Sequence, residues 1–181
     1  MLSHTAIAEL ARDPRLAEIA DAVLGAEPIA FRATLFDKSV ANWLVAWHQD
    51  RVLPFREKRD VPGWGPWSLK SGVIHACAPT GALASVVALR LHLDDSTADT
   101  GPLRVLPETH AIGVLSDDRI REFAAQVVPV DCIAAQGGVV VIRPLLVHAS
   151  SKARSSLPRR VLHFEYTSSV FLAEGLELAI V

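Results

Sequence analysis

The chain predicts a mostly β protein of the jelly-roll kind, with its helices gathered at the amino end. Three observations carry that expectation. Eight short runs rich in β-branched, aromatic and other apolar residues follow one another between residues 29 and 167, glycines, prolines and aspartates punctuate the gaps, and strong helical periodicity is confined to residues 1–26. Many short strands with little intervening helix favour a sandwich or barrel, because a parallel sheet needs a long crossover after each strand. With 181 residues, half of them hydrophobic and 21% charged, the chain can bury one core, so a single domain over residues 1–181 is expected, helical over 1–26 and β over 27–170.

The elements follow in order. Asp13-Pro14 supplies an N-cap and a proline at the first helical position, Leu16, Ile19, Ala20, Val23 and Leu24 recur on one face, and Gly25 supplies the stop. That face should pack on a sheet, and a shorter helical stretch around Ile7 to Leu10 precedes it. Strands are expected at Ile29–Phe36, Trp43–His48, Ser85–Leu93, Leu103–Leu106, Val127–Ile133, Val139–Ile142, Leu146–Ala149 and Arg160–Thr167. The segment Arg51–Pro79 is rich in proline and glycine and reads as a long irregular lid, in which Trp64 and Trp67 either wall a substrate site or pin the loop to the body.

Composition excludes several classes of function. A formal charge of -2 without long basic runs leaves no electrostatic footprint for nucleic acid, so small molecules are the expected partners. Cys77 and Cys132 are too few for a disulfide framework and lack metal-site spacing. No apolar run approaches the roughly 20 residues that cross a bilayer, and no signal segment opens the chain, so no membrane partner is expected and the cytoplasm is the default compartment.

Chemistry is concentrated in Trp47-His48-Gln49-Asp50, in His148, and in Arg159 eleven residues further on. Alternate residues of a strand share a face, so His48 and Asp50 can grip one ion while Gln49 points elsewhere. His148 follows the β-prone run Val139-Val140-Val141-Ile142 and would bring the third ligand from another strand. Two imidazoles and one carboxylate form the facial triad that holds non-haem Fe(II) with positions left open, and a nearby arginine can anchor a dicarboxylate. Strand parity agrees: along Ser85–Leu93 the residues Val87, Leu89, Leu91 and Leu93 share one face and Arg90 and His92 the other, while Leu162, Phe164 and Tyr166 oppose Arg159, Val161, His163 and Glu165. A polar inward face is costly unless a ligand pocket satisfies it, the alternative being that the face meets water. Ser150 lies two residues after His148 and could donate a hydroxyl to the same carboxylate, or be satisfied by loop backbone.

Phe36-Asp37-Lys38, Trp47-His48-Gln49-Asp50, Leu91-His92-Leu93-Asp94-Asp95, Gly101-Pro102-Leu103-Arg104-Val105-Leu106-Pro107, Thr109-His110, and His148-Ala149-Ser150 through Arg159-Arg160-Val161-Leu162-His163 together, in that order, resemble the phytanoyl-CoA dioxygenase family over residues 30 to 168. The resemblance implies a double-stranded β-helix with N-terminal helices covering the larger sheet. It implies His48, Asp50 and His148 as catalytic ligands of Fe(II), and 2-oxoglutarate and O2 as co-substrates. Arg159 rather than its neighbour Arg160 would receive the distal carboxylate, with Ser150 beside it, and Thr34 and Arg90 fall where the family's co-substrate pocket is lined; Arg90 stands where a relative has an aromatic residue. The implied reaction is hydroxylation of a small organic substrate, coupled to decarboxylation of 2-oxoglutarate to succinate and CO2. Asp50 argues against the halogenating branch, in which a small residue replaces that carboxylate.

Two other readings remain open: a cupin-like metal-dependent hydrolase or isomerase, which would need no Arg159, and a non-catalytic jelly roll that holds a small ligand. Lys38, Gln49, Trp64, Trp67, His75 and His163 stand as residues that either contact ligand or serve the fold. Substrate choice is expected in the lid and near Ser116–Phe123 and Ala149–Leu157, and no basic cluster marks a site for CoA phosphates. The resemblance also implies a further strand and helix ahead of the first helix, so an unpaired sheet edge is expected, where a second protomer could pair to make a homodimer. Finally, Glu108 stands where the family usually has glycine, and a positive φ there would strain it.

Overall fold

The structure is a computed structural model of the chain and describes residues 1–38, 43–173 and 175–181. Two helices open it, α1 (Thr5–Ala11) and α2 (Pro14–Leu24). The second begins and ends as its residues dictate: the Asp13 carboxylate accepts from the Arg15 N–H at 2.9 Å, and Gly25 closes the helix in the left-handed conformation, φ 69°. Its buried stripe is narrower than the periodicity suggests, with Leu16 and Ala20 buried, Ile19 and Leu24 half-buried and Val23 exposed.

The strands are β1 (Ile29–Asp37), β2 (Val45–His48), β3 (Val52–Phe55), β4 (Trp67–Lys70), β5 (Val73–Cys77), β6 (Val86–His92), β7 (Leu103–Val105), β8 (Val130–Cys132), β9 (Val139–Ile142), β10 (His148–Ser150), β11 (Arg160–Thr167), β12 (Phe171–Ala173) and β13 (Leu176–Glu177). Two four-stranded sheets run β1-β11-β6-β9 and β2-β10-β7-β8. Numbering these eight strands in chain order, the first, third, sixth and eighth make one sheet, and the second, fourth, fifth and seventh the other. That alternation is the connectivity of a jelly roll, as the strand pattern predicts. Among the described residues no helix is long and apolar enough to cross a membrane.

By packing, the residues fall into two compact units interleaved along the chain: Met1–Thr34, Arg51–Leu89 and Phe164–Val181 in the first, Leu35–Asp50 and Arg90–His163 in the second. The first unit buries Phe31, Leu53, Phe55, Leu83, Leu89 and Phe164. Tyr166, on β11, reaches the end of α1 and donates its hydroxyl to the Ala11 carbonyl at 3.0 Å. Buried Glu165 on the same strand is held by the forked guanidinium of Arg32, which also donates to the Val52 carbonyl at 3.0 Å. The outer side of β1 meets the chain's own end: Val181 N–H donates to Phe31 O at 2.8 Å and Ala33 N–H to Val181 O at 3.1 Å.

Three expectations need correction. The segment Arg51–Pro79 is not an irregular lid: β3, β5 and β4 form a three-stranded antiparallel sheet within it, because Val52–Phe55 and Val73–Cys77 are β-prone runs that pair in register despite the prolines and glycines between them. Trp64 and Trp67 both pack edge-on to the buried Phe55 ring, at 5.4 and 5.6 Å, which are the contacts of pins. Second, residues near Ser116 are not loop, and Val127 is not strand. They form α4 (Asp117–Gln126), capped by the Ser116 hydroxyl and led by Asp117 and Asp118, which suit a helix N-terminus. Its apolar face, Ile120, Phe123 and Ala124, joins Leu106, Leu115, Val147 and Trp47 in one cluster. Third, a short helix, α3 (Thr80–Ala84), lies between β5 and β6, and strands continue past residue 170.

Glu108 has φ 65° and ψ -8°, is exposed, and caps nothing with its side chain. A left-handed conformation costs an L-residue about 1–2 kcal/mol, whereas glycine pays about 0.5–1 kcal/mol of extra chain entropy. Glu108→Gly is therefore expected to stabilise the protein by about 0.5–1 kcal/mol, seen as a higher urea midpoint with an unchanged slope.

Candidate metal centre

The site is assembled in the second unit by strand pairing. Strands β2 and β10 are antiparallel neighbours with His48 directly opposite His148. Asp50 follows two residues after His48, and its N–H donates to the Pro144 carbonyl at 2.9 Å, which fixes the chain just beyond the strand. Gln49 points the other way and is buried. Its amide donates to the carbonyls of Gly113 (2.9 Å) and Leu145 (2.7 Å) and accepts from the Leu115 N–H (2.8 Å), so a structural clamp separates the two ligands.

One donor atom from each of His48, Asp50 and His148 lies within 4.8 Å of the others. His48 Nε2 is 3.6 Å from Asp50 Oδ1, and His148 Nε2 is 3.5 Å from Asp50 Oδ2. Those separations are long for hydrogen bonds and close to the spacing of adjacent ligands on one ion, since donors about 2.1 Å from a metal at right angles stand about 3.0 Å apart. Both rings are oriented from behind: His48 Nδ1 lies 2.8 Å from the Ala46 carbonyl and His148 Nδ1 2.8 Å from that of Leu146. A carbonyl only accepts, so each Nδ1 carries the proton and each Nε2 turns a lone pair toward Asp50. The donor set thus fits an ion bound by two neutral imidazoles and a carboxylate.

Charge follows the same geometry. Burial works to raise the Asp50 pKa, but the neighbouring His48, His148 and His163 hold it well below the ordinary carboxylate range. Burial lowers His148, and the Asp50 carboxylate only partly offsets this. Burial also presses His48 down, yet the Asp50 carboxylate and the Ala46 carbonyl together leave it raised.

A cavity opens beside the triad, lined also by Lys38, Arg90, Ser150 and Arg159 among apolar residues that include Phe36, Trp43 and Leu103. Arg159 is buried; its Nε donates to the Thr100 carbonyl at 3.2 Å, its Nη2 to the Ser150 hydroxyl at 3.3 Å, and its Nη1 has no partner among the described residues. Ser150 in turn donates to the Gly101 carbonyl at 3.0 Å. Gly101 has φ 68°, and a Cβ there would stand 2.5 Å from the Ser151 carbonyl oxygen, so the turn beneath the cavity needs glycine. The rival Arg160 faces away and is bound through Nε and Nη2 to Asp94 at 2.8 and 2.7 Å. Lys38 donates to the Ser151 carbonyl, and its pKa is lowered to about 8 by burial and by Arg159.

Arg90 is buried, donates from Nη1 toward His163 Nδ1 at 3.1 Å, and lies over the Phe36 ring at 5.0 Å. Burial and then Arg159 lower its pKa to about 10, so it stays charged at neutral pH. His92 shares its strand face and is buried with neither ring nitrogen partnered among the described residues. Of the predicted site residues, His48, Asp50, His148, Ser150, Arg90 and Arg159 meet in this cavity, and Thr34, in the first unit, lies outside its lining. His75, also in the first unit, is held by the Val73 carbonyl at 2.9 Å. The carbonyls of Ala46, Leu146 and Thr100, which orient the functional side chains, carry no sequence signal, because every residue has one.

The sequence profile of the phytanoyl-CoA dioxygenase (PhyH) family matches residues 2–161. The chain belongs to that family. No curated protein matches it by sequence. Among solved structures, this PhyH chain is similar to AviO1 from Streptomyces viridochromogenes Tue57, with 25% identity and a TM-score of 0.62 over 88% of this chain and 59% of that one. EctD from S. alaskensis, solved with bound Fe, aligns at 21% identity and a TM-score of 0.64 over 92% and 54% of the two chains. HygX from Streptomyces hygroscopicus, solved with nickel and 2-oxoglutarate, aligns at 16% and 0.64 over 93% and 67%. The chain thus spans less than two thirds of AviO1 and of EctD.

Metal binding must displace protons from the ligands, and His48, whose pKa is raised, takes up a proton first as pH falls. Anaerobic calorimetry with Fe(II) is expected to give an affinity that is flat at alkaline pH and drops about tenfold per unit once the pH passes below the His48 pKa. His48→Ala should weaken binding throughout and remove that drop.

Proposed function

We propose that the chain is an Fe(II)- and 2-oxoglutarate-dependent oxygenase that hydroxylates a small organic substrate. One observation carries this reading: a two-imidazole, one-carboxylate donor set shares its cavity with a buried guanidinium whose Nη1 has no partner among the described residues. Iron bound there would supply O2 activation coupled to decarboxylation of 2-oxoglutarate to succinate and CO2. The side chains divide the remaining work. His48 and His148 give Nε2 lone pairs, their Nδ1 protons being held by backbone carbonyls, and Asp50 stays ionised as the anionic ligand.

Arg159 would hold the distal carboxylate of 2-oxoglutarate, with Ser150, whose own proton goes to the Gly101 carbonyl, helping to aim the guanidinium. The Arg159 guanidinium is already aimed by Thr100 and Ser150, so little ordering remains to be done on binding. Gln49 keeps the loops around both halves of the triad in place from behind, and Phe36, Trp43 and Leu103 give the cavity an apolar wall that limits water near the metal. A hydrolase using the same metal would have no use for Arg159.

Anaerobic addition of 2-oxoglutarate to the Fe(II)-loaded protein is expected to produce the visible charge-transfer band of the chelate. In air, 2-oxoglutarate should be converted to succinate, and Asp50→Ala should abolish both signals. Arg159→Met removes one partner of a buried charged pair, which costs about 2–4 kcal/mol, so the band should remain but require roughly 30- to 1000-fold more 2-oxoglutarate. An Arg159→Met protein with unaltered 2-oxoglutarate affinity would sink the reading.

A further inference from the structure

The cavity holds more positive charge than the proposed chemistry consumes. Among the described residues its charged lining is Lys38, Arg90 and Arg159 against Asp50, three cations and one anion, a formal excess of +2. Fe(II) adds two charges and 2-oxoglutarate removes two, so the excess survives when both are bound. Lys38 rests its ammonium on the Ser151 carbonyl, and Arg159 is aimed by Thr100 and Ser150. Arg90 is the cation left over.

Arg90 is 6% exposed and forms no ion pair among the described residues; its neighbours are His163 at Nη1 and the Phe36 ring. Among the described residues its Nε is buried without a partner and nothing bonds its Nη2. Those two nitrogens form one edge of the guanidinium, whose parallel N–H bonds match the two oxygens of a carboxylate. Nη1, outside that edge, is occupied by His163, and the Phe36 ring lies against the guanidinium, so the plane is held while the edge is left unpartnered among the described residues. An unpaired buried guanidinium destabilises a fold, and its retention beside a metal site marks a binding group rather than a structural one.

We infer that Arg90 is the substrate anchor and that the substrate carries a carboxylate, gripped by the Nε–Nη2 edge while the metal faces another part of the molecule. This rests on the proposed function, since the count assigns one guanidinium, Arg159, to 2-oxoglutarate and leaves the second for another anion. The competing assignment is that Arg90 holds the carboxylate of 2-oxoglutarate next to its keto group. In that case removing Arg90 would weaken 2-oxoglutarate itself.

The test uses anaerobic Fe(II)-loaded protein, calorimetry for 2-oxoglutarate, and thermal unfolding with propionate as the probe anion and propionamide as its neutral control. In the wild type with 2-oxoglutarate bound, propionate should raise Tm by about 2–4 °C more than propionamide does. Arg90→Met should abolish that difference, bind 2-oxoglutarate within about threefold of wild type, and melt at or above the wild-type temperature without ligands. Arg90→Lys, which keeps the charge without the fork, should show a reduced propionate effect and unchanged 2-oxoglutarate binding.

Three results would overturn the assignment: no difference between propionate and propionamide in the wild type, a loss of 2-oxoglutarate affinity above about 30-fold in either variant, or an Arg90→Met protein that melts well below wild type. Failure of the wild type to bind 2-oxoglutarate at all would instead count against the proposed function. The propionate comparison, repeated without 2-oxoglutarate in the Arg90→Met and Arg159→Met proteins, would then still tell whether Arg90 binds a carboxylate.

Discussion

Antiparallel pairing of β2 with β10 is the constraint on which the candidate metal centre depends. It sets His48 opposite His148 with ring centroids 4.2 Å apart, and because Asp50 lies two residues beyond His48 the carboxylate comes to both rings. A register slip of one residue would turn His148 away and bring Val147 or Ala149 across from His48. The register is held away from the metal: Gln49 bonds Gly113, Leu115 and Leu145, Asp50 bonds Pro144, and Thr109 accepts the Val147 N–H at 2.9 Å. Buried polar side chains thus spend their hydrogen bonds on the loops that lead into the ligand strands, and the ligands themselves are left free for the ion.

The second unit gathers its unpartnered buried cations at one cavity. In the first, the Glu165 carboxylate lies in the fork of Arg32, and Arg51 Nε is buried without a partner among the described residues. Around Asp50 the buried guanidinium groups of Arg90 and Arg159 form no ion pair among the described residues, and polar atoms of Arg90, Arg159 and His92 are buried there without partners. Such groups lower stability, and their concentration at one cavity is what separates a site for anionic ligands from an ordinary core.

Backbone carbonyls complete the centre. Ala46 and Leu146 each stand two residues before a histidine and each take the proton of its Nδ1, so one local geometry repeated on two strands selects the tautomer that a metal needs. The same economy serves Arg159, aimed by the Thr100 carbonyl and by a serine that itself rests on Gly101.

Local rules made much of this molecule legible from residues alone. The cap and stop of α2, the eight sheet strands and the His-x-Asp pair follow from neighbours close in the chain, where period and capping operate, while the strain at Glu108 is implied by the family resemblance. Local signals mislead where pairing or packing outweighs them: prolines and glycines in Arg51–Pro79 conceal three strands that pairing stabilises, and the Ser116 cap of α4 stands close to β-prone Val127 and Val128. Only tertiary structure decided that His148 stands opposite His48, that Asp94 engages Arg160 while Arg159 turns inward, and that Arg90 lines the same cavity with its Nε unpartnered among the described residues whereas Thr34 is not in that lining. The physical reason is that these facts depend on register and on competition for partners between groups distant in sequence, and neither is encoded in any single stretch of chain.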